Sequence, residues 1–213
     1  MFSIGIDLGY TDRNPAMRIP RLNDPQSYQP WPMEAHRKFL ASEMPPWMRT
    51  AYMLGLWTAQ REGDVLRLAR ALYDGSGFLI RQGRPEAKRG KGRKGKIVTL
   101  YIAAAKPLRE YLSGCTFSGL LFVTDEAGNP IEPTRFRHAL RNHLNALGLS
   151  DMHFHGLRHT TATALADLGA SEAEIQALLG HETRQMAEHY TKKANQKRLA
   201  ATAVRRLEKG WNR

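Results

Sequence analysis

The stretch HGLRHTTATALADLG (residues 155–169) places apolar residues at helical spacing and ends on Gly169. Apolar residues three and four positions apart lie on one face of an α-helix, and glycine is common just after a helix ends. The next stretch, EAEIQALLG (residues 172–180), has the same spacing and ends on Gly180. Two consecutive helices are therefore predicted between residues 155 and 180.

The same periodicity extends over much of the chain. It predicts further helices over MEAHRKFLAS (33–42), PWMRTAYMLGLWTAQ (46–60), AKPLREYLSG (105–114), PTRFRHALRNHLNALG (133–148) and ANQKRLAATAVRRLEK (194–209). Phe78–Leu79–Ile80 and Ile97–Val98–Thr99–Leu100–Tyr101 are rich in β-branched and aromatic residues, which favours strands joined by a long basic turn. The predicted fold is mainly α with a small antiparallel β-sheet, an α+β architecture.

Composition limits the partners of the protein. The 213 residues carry a formal net charge of +12, which suits nucleic acid or an anionic membrane surface. No apolar run is long enough to span a bilayer, so we expect no membrane partner and a cytoplasmic protein. The single cysteine, Cys115, excludes internal disulfides and a cysteine-based zinc site.

A strongly basic segment covers residues 81–96, RQGRPEAKRGKGRKGK. It holds eight Lys or Arg residues, four glycines and one acidic residue. Such a segment can lie along a DNA backbone, although a solvated run of charges has the same composition. The DNA-binding residues expected here are Arg84, Lys88, Arg89, Arg93, Lys94 and Lys96.

Two arginines are candidates for binding a phosphate. Arg61 lies in TAQREGDVLRL and Arg158 in HGLRHT, and arginine binds phosphate bidentately while staying charged. Asp64, one helical turn after Arg61, is placed to orient the Arg61 guanidinium. His155 lies three residues before Arg158, so both side chains can face one phosphate, and a histidine can transfer a proton near neutral pH. The alternative of a zinc site at His153, His155 and His159 lacks an obvious carboxylate ligand.

These residues belong to an ordered series. Arg61, a lysine of the basic segment, His155, Arg158, His181 in LLGHET and Tyr190 in QMAEHYTK follow one another along the chain. From about Pro25 to the end, the sequence resembles the tyrosine recombinase (phage integrase) family in the order and approximate spacing of these motifs. The resemblance identifies Lys91, in GKGRKGKIVTL, as the family's hairpin lysine, with Lys88, Lys94 and Lys96 as neighbouring alternatives.

The resemblance implies a mechanism of DNA strand breakage and rejoining. Tyr190 would be the nucleophile and would form a 3′-phosphotyrosyl link, which frees a 5′-hydroxyl. Arg61, Arg158 and His181 would stabilise the transferred phosphate, Lys91 would protonate the leaving oxygen, and His155 would assist proton transfer. No cofactor, metal or ATP is expected, because the phosphotyrosine conserves the bond energy.

The resemblance also implies a domain organisation. Residues 25–213 would form the catalytic domain, with a basic β-hairpin turn at about 81–96 and a C-terminal helix at about 194–209. Residues 1–24 would be the end of a core-binding domain followed by a linker. The expected partner is double-stranded DNA, with a monomer in its absence and a homotetramer in synaptic complexes of a full-length protein.

Two departures leave alternatives open. Gly156 stands where the family commonly has Asp, and the family's preceding helical DNA-binding domain is represented only by FSIGIDLGYTDRNP. The alternatives are a catalytically ineffective DNA-binding remnant of an integrase and a strand transferase similar to type IB topoisomerases.

Overall fold

The computed structural model describes residues 6–13, 28–82, 98–180 and 204. Over these residues the chain forms seven α-helices with full bounds: α1 (Met33–Ala41), α2 (Pro46–Thr58), α3 (Glu62–Leu66), α4 (Lys106–Ser113), α5 (Pro133–Ala146), α6 (Phe154–Asp167) and α7 (Glu172–Leu179). Strands β1 (Gly77–Gln82) and β2 (Val98–Ala103) pair antiparallel, with Gly77 opposite Ala103 and Gln82 opposite Val98. The prediction of a mainly helical protein with a small antiparallel sheet is confirmed.

In the main hydrophobic core, α2 packs against α6, and the core also contains residues of both strands. Phe39, Tyr52, Phe78, Phe136 and Leu157 are almost fully buried in it. Burial of such side chains is the main favourable contribution to folding. A smaller cluster of Ala59, Ala162, Ala166, Ile175 and Leu179 joins the end of α2 to α6 and α7, so the C-terminal ends of α2 and α7 lie beside α6.

Helix α7 has defined ends. The Ser171 hydroxyl accepts a hydrogen bond from the Glu174 amide at 3.2 Å, and the Glu174 carboxylate accepts one from the Ser171 amide at 2.6 Å. This reciprocal pair satisfies amide groups that a helix leaves unbonded at its start. At the other end Gly180 has φ +65°, as expected for a glycine that stops a helix. The residue before His181 in the sequence is therefore held in a left-handed conformation.

The beginning of α6 is covered by the segment around Trp31. The Trp31 amide donates to the Thr160 hydroxyl and its indole donates to the His153 carbonyl, both at 2.8 Å. A Cβ atom on Gly156 would lie 2.6 Å from the Gln29 carbonyl oxygen and 2.8 Å from the Trp31 ring. The glycine at this position thus has a structural reason, because it lets the covering segment approach the helix.

We predict that Gly156→Ala destabilises the protein by about 1–3 kcal/mol, because backbone must shift to accommodate the new methyl group. Gly114→Ala is the matched control, since its Cβ would meet its nearest neighbour at an ordinary 3.6 Å. Urea unfolding of both variants checks this. Equal stability of the two variants would contradict the prediction.

Candidate active site

Arg158 is a buried cation at the centre of the site. It projects from α6, only 2% of its surface is exposed, and it donates from Nη1 to the Ala59 carbonyl at 2.7 Å and from Nη2 to the Leu179 carbonyl at 2.8 Å. These carbonyls end α2 and α7, where the helix dipole gives them partial negative charge. A buried charge requires such partners, so the orientation of this guanidinium is set by two helix ends.

Arg61 lies where the chain turns from α2 into α3. Ala59 has a left-handed backbone with φ 55° and ψ 26°, and Arg61 returns to an extended conformation before α3 begins. The Arg61 carbonyl accepts the Asp64 amide at 2.9 Å and the Val65 amide at 3.0 Å. The turn places the exposed Arg61 side chain on the same groove as His155.

Asp64 is buried beside these arginines, but its partner differs from the sequence expectation. Its Oδ1 accepts a hydrogen bond from Arg67 Nη2 at 3.2 Å. The two residues are three positions apart at α3, a spacing that brings their side chains together. Burial raises the pKa of Asp64, and the positive charges of Arg67, Arg61 and Arg158 act against that rise. The carboxylate therefore bonds Arg67 and acts on Arg61 through charge.

His155 is half-buried at the start of α6. Burial, followed by the charges of His159, Arg158 and Arg61, lowers its pKa to about 4. Its ring lies 5.0 Å from the Tyr28 ring and 5.2 Å from the His159 ring, centroid to centroid. At neutral pH the imidazole is uncharged and is able to accept a proton.

Arg61, Asp64 and His155 border an open groove of about 1090 Å³. Its lining includes four arginines and two acidic residues, namely Arg61, Arg67, Arg137, Arg141, Glu62 and Asp64. Arg137 bonds Glu62 at 2.8 Å, and Arg141 bonds His153 Nδ1 at 2.7 Å. The excess of positive charge suits a polyanion whose phosphates lie along the groove.

The other expected site residues lie outside the described part of the chain. They are Lys91, His181, Tyr190 and the basic residues Arg84, Lys88, Arg89, Arg93, Lys94 and Lys96, together with the expected C-terminal helix apart from Val204. Their assignments stay predictions. The described residues bring together Arg61, Asp64, His155 and Arg158, which are far apart in the sequence.

Three residues that line the groove were not among the predicted site residues, although the stretch PTRFRHALRNHLNALG had the basic character of a DNA-contacting helix. Arg137 and Arg141 are four residues apart on α5, a spacing that was available as a signal for one basic helix face. Tyr28 could not be predicted from local spacing. Its ring lies against the rings of His153 and His155, which are far from it in the sequence.

The zinc alternative has no ligand set in the described residues. No group of three or more His, Cys, Asp or Glu side chains there is arranged to hold a metal ion. His153 instead contacts Arg141 and Tyr28. Within the same residues, no helix combines the length and the apolar character required to cross a membrane.

Comparison with known proteins defines the class. Residues 33–197 match the phage integrase family. The integrase of Mycobacterium phage D29 is 28% identical over 166 residues, which cover 71% of this chain and 44% of that protein. The tyrosine recombinase XerC of Brucella melitensis is 31% identical over 189 residues, which cover 83% of this chain and 58% of that protein.

The fold has a solved counterpart. A lambda integrase dimer bound to a COC′ core site matches with a TM-score of 0.69 and 23% identity, over 89% of this chain and 55% of that one. The chain belongs to the phage integrase family. It spans about half the length of the curated relatives described above.

We predict that the pKa of His155 lies near 4 in the DNA-free protein. Because the unfolded chain binds this proton more strongly, with a pKa of about 6.5, His155 lowers the stability of the folded state as pH falls from 6.5 towards 4. NMR titration of the histidine side chains, with His155→Asn for assignment, measures the value.

The same variant supplies a stability control. His155→Asn should lose less stability than the wild-type chain over this pH interval. A His155 titration midpoint at or above 6.5 would contradict the proposed influence of burial and neighbouring charges.

Proposed function

We propose that this chain is the catalytic part of a site-specific DNA recombinase, an integrase that cleaves and rejoins DNA strands through a 3′-phosphotyrosyl intermediate. The observation that carries the proposal is that Arg61 and His155 line one positively charged groove, with the buried Arg158 guanidinium near enough to His155 to lower its pKa, in a chain of the phage integrase family. Phosphoryl transfer depends mainly on positioning and on charge stabilisation, which such a cluster is suited to supply.

In the proposed first step, the Tyr190 hydroxyl attacks the scissile phosphorus. A phenol has a pKa of about 10, so nearby cations are needed to favour the phenolate. His155, which is uncharged at pH 7, assists the transfer of the phenolic proton. Arg61, Arg158 and His181 stabilise the negative oxygens of the pentacoordinate phosphate.

The step is completed when the 5′-oxygen of the DNA leaves the phosphorus. The bond between phosphorus and the 5′-oxygen breaks, and Lys91 gives its proton to that oxygen. The phosphodiester is exchanged for a phosphotyrosine of similar energy, so a 5′-hydroxyl can later reverse the reaction on the same or another strand. Neither a metal ion nor ATP is required by this exchange, and no cofactor takes part.

The proposed partner is double-stranded DNA, held by the groove and by the basic segment at 81–96. We propose a monomer in the absence of DNA and a homotetramer in synaptic complexes of the full-length protein. Residues 25–213 would be the catalytic domain, preceded at 1–24 by the end of a core-binding domain and a linker. The lambda integrase structure that matches this fold is a dimer on its core site.

We predict that the chain forms an SDS-resistant adduct with DNA and that Tyr190→Phe abolishes it. A pool of nicked random duplexes at low salt, without metal, serves as substrate, because the nick releases the 5′-hydroxyl fragment and traps the intermediate. Arg158→Ala should reduce adduct formation by about 10²–10³-fold, the effect of removing one charge-stabilising group. DNA binding without an adduct would instead favour the ineffective remnant.

A second prediction concerns the groove. Arg137→Ala should make the dependence of log affinity on log salt concentration less steep, with a slope smaller in magnitude by about 1, because one phosphate contact is removed. Arg135→Ala is a matched control, since Arg135 lies two residues away on α5, is similarly exposed and pairs with Asp125 outside the groove. Fluorescence anisotropy with a random duplex measures both slopes. Equal slopes for the two variants would argue against this groove as the DNA site.

A further inference from the structure

Two glutamines are buried next to the candidate active site. Gln60 and Gln82 are 2% and 3% exposed, which is unusual for an amide side chain. Gln82 is the last residue of β1 and lies on the same strand face as the buried Phe78 and Ile80. A buried amide costs free energy unless its donors and acceptor are all bonded.

Within the described residues, the hydrogen bonds that these amides donate run to backbone carbonyls or from one amide to the other. Gln60 Nε2 donates to the Thr58 carbonyl at 2.7 Å and to the Leu178 carbonyl at 3.0 Å. Gln82 Nε2 donates to Gln60 Oε1 and, at 2.9 Å, to the Leu179 carbonyl. The pair therefore connects the last turn of α2 with the last turn of α7.

Arg158 uses the same helix ends. Its Nη2 shares the Leu179 carbonyl with Gln82, and its Nη1 bonds Ala59, the neighbour of Thr58. The oxygen of Leu179 thus accepts one bond from a glutamine and one from the guanidinium, which uses both of its lone pairs. Any change in the separation of the two helix ends would turn the guanidinium.

The packing at Gly180 supports a fixed position for Gln82. A Cβ atom on Gly180 would lie 2.2 Å from Gln82 Oε1, so the amide occupies the space that a side chain there would need. Gln82 directly precedes the segment that contains Lys91, and Gly180 directly precedes His181. The network therefore joins the points at which both of these segments meet the described fold.

We propose that Gln60 and Gln82 are positioning residues for the strand-transfer reaction. They hold the carbonyls of α2 and α7 at the spacing that aims the Arg158 guanidinium at the scissile phosphate. This inference rests on the proposed function. The glutamines themselves touch neither the phosphate nor the nucleophile in this assignment.

The test separates positioning from stability. Gln82→Met keeps the length of the side chain and removes its hydrogen bonds, and Gln60→Met does the same from the other side of the network. Thr50→Val is the matched control, because Thr50 is also buried on α2 and loses its bond to Tyr111 at 2.9 Å, away from Arg158. Unfolding curves establish the folded fraction of each variant.

The measurement is the rate of single-turnover adduct formation at saturating nicked duplex, together with the Kd for that duplex. Both glutamine variants should slow the reaction by about 10- to 100-fold, the size expected when a catalytic group is misplaced by about 1 Å. Their Kd should be unchanged, and Thr50→Val should react at the wild-type rate per folded molecule. Rates equal to that of Thr50→Val, or a loss confined to Kd, would overturn the inference.

A second measurement is made on the wild-type protein, with one variant used only to assign its signals. The Arg158 guanidinium protons, assigned with Arg158→Lys, should exchange slowly with solvent because their carbonyl acceptors are held in place. Rapid exchange would overturn the positioning role even if adduct formation is normal. A wild-type chain that forms no Tyr190-dependent adduct would instead refute the proposed function, and the inference with it.

Discussion

The interaction on which the site depends is the pair of hydrogen bonds from the Arg158 guanidinium to the Ala59 and Leu179 carbonyls. A guanidinium that is 2% exposed is stable only where oxygens replace its water. Two helices must therefore end beside α6, and both do so through left-handed residues, Ala59 and Gly180. The two helix ends supply the carbonyl oxygens that replace water around this charge.

The same arrangement sets the electrostatics of the neighbouring residues. The charges of Arg158 and Arg61, added to burial, hold the pKa of His155 near 4, and they oppose the rise that burial causes in the pKa of Asp64. His155 and Arg61 line the positively charged groove, and the buried Arg158 guanidinium lies near His155. The two arginine charges suit the stabilisation of a phosphate, and the uncharged His155 can assist proton transfer.

The sequence predicted most of this fold because its signals are local. Helical spacing, terminal glycines and a β-branched run gave α1, α2, α4–α7 and the β1–β2 pair, and motif order predicted that Arg61, His155 and Arg158 belong together. What it missed depends mostly on contacts between distant segments. Tyr28 lies against His155 and Gln60 meets Gln82, and neither contact follows from spacing. The bond between Asp64 and Arg67 is local, but the sequence did not show that Asp64 would pair with Arg67 rather than with Arg61. The roles of Lys91, His181 and Tyr190 stay predictions of sequence order.

The most direct measurement is a crystal structure of the Tyr190→Phe variant bound to a cleavable duplex. The expected result is one scissile phosphate within about 3 Å of both the Arg61 and Arg158 guanidinium groups, with the Arg158 bonds to Ala59 and Leu179 retained. A phosphate held elsewhere in the groove, out of hydrogen-bond reach of Arg158, would contradict the assignment of this buried cation to the reacting centre.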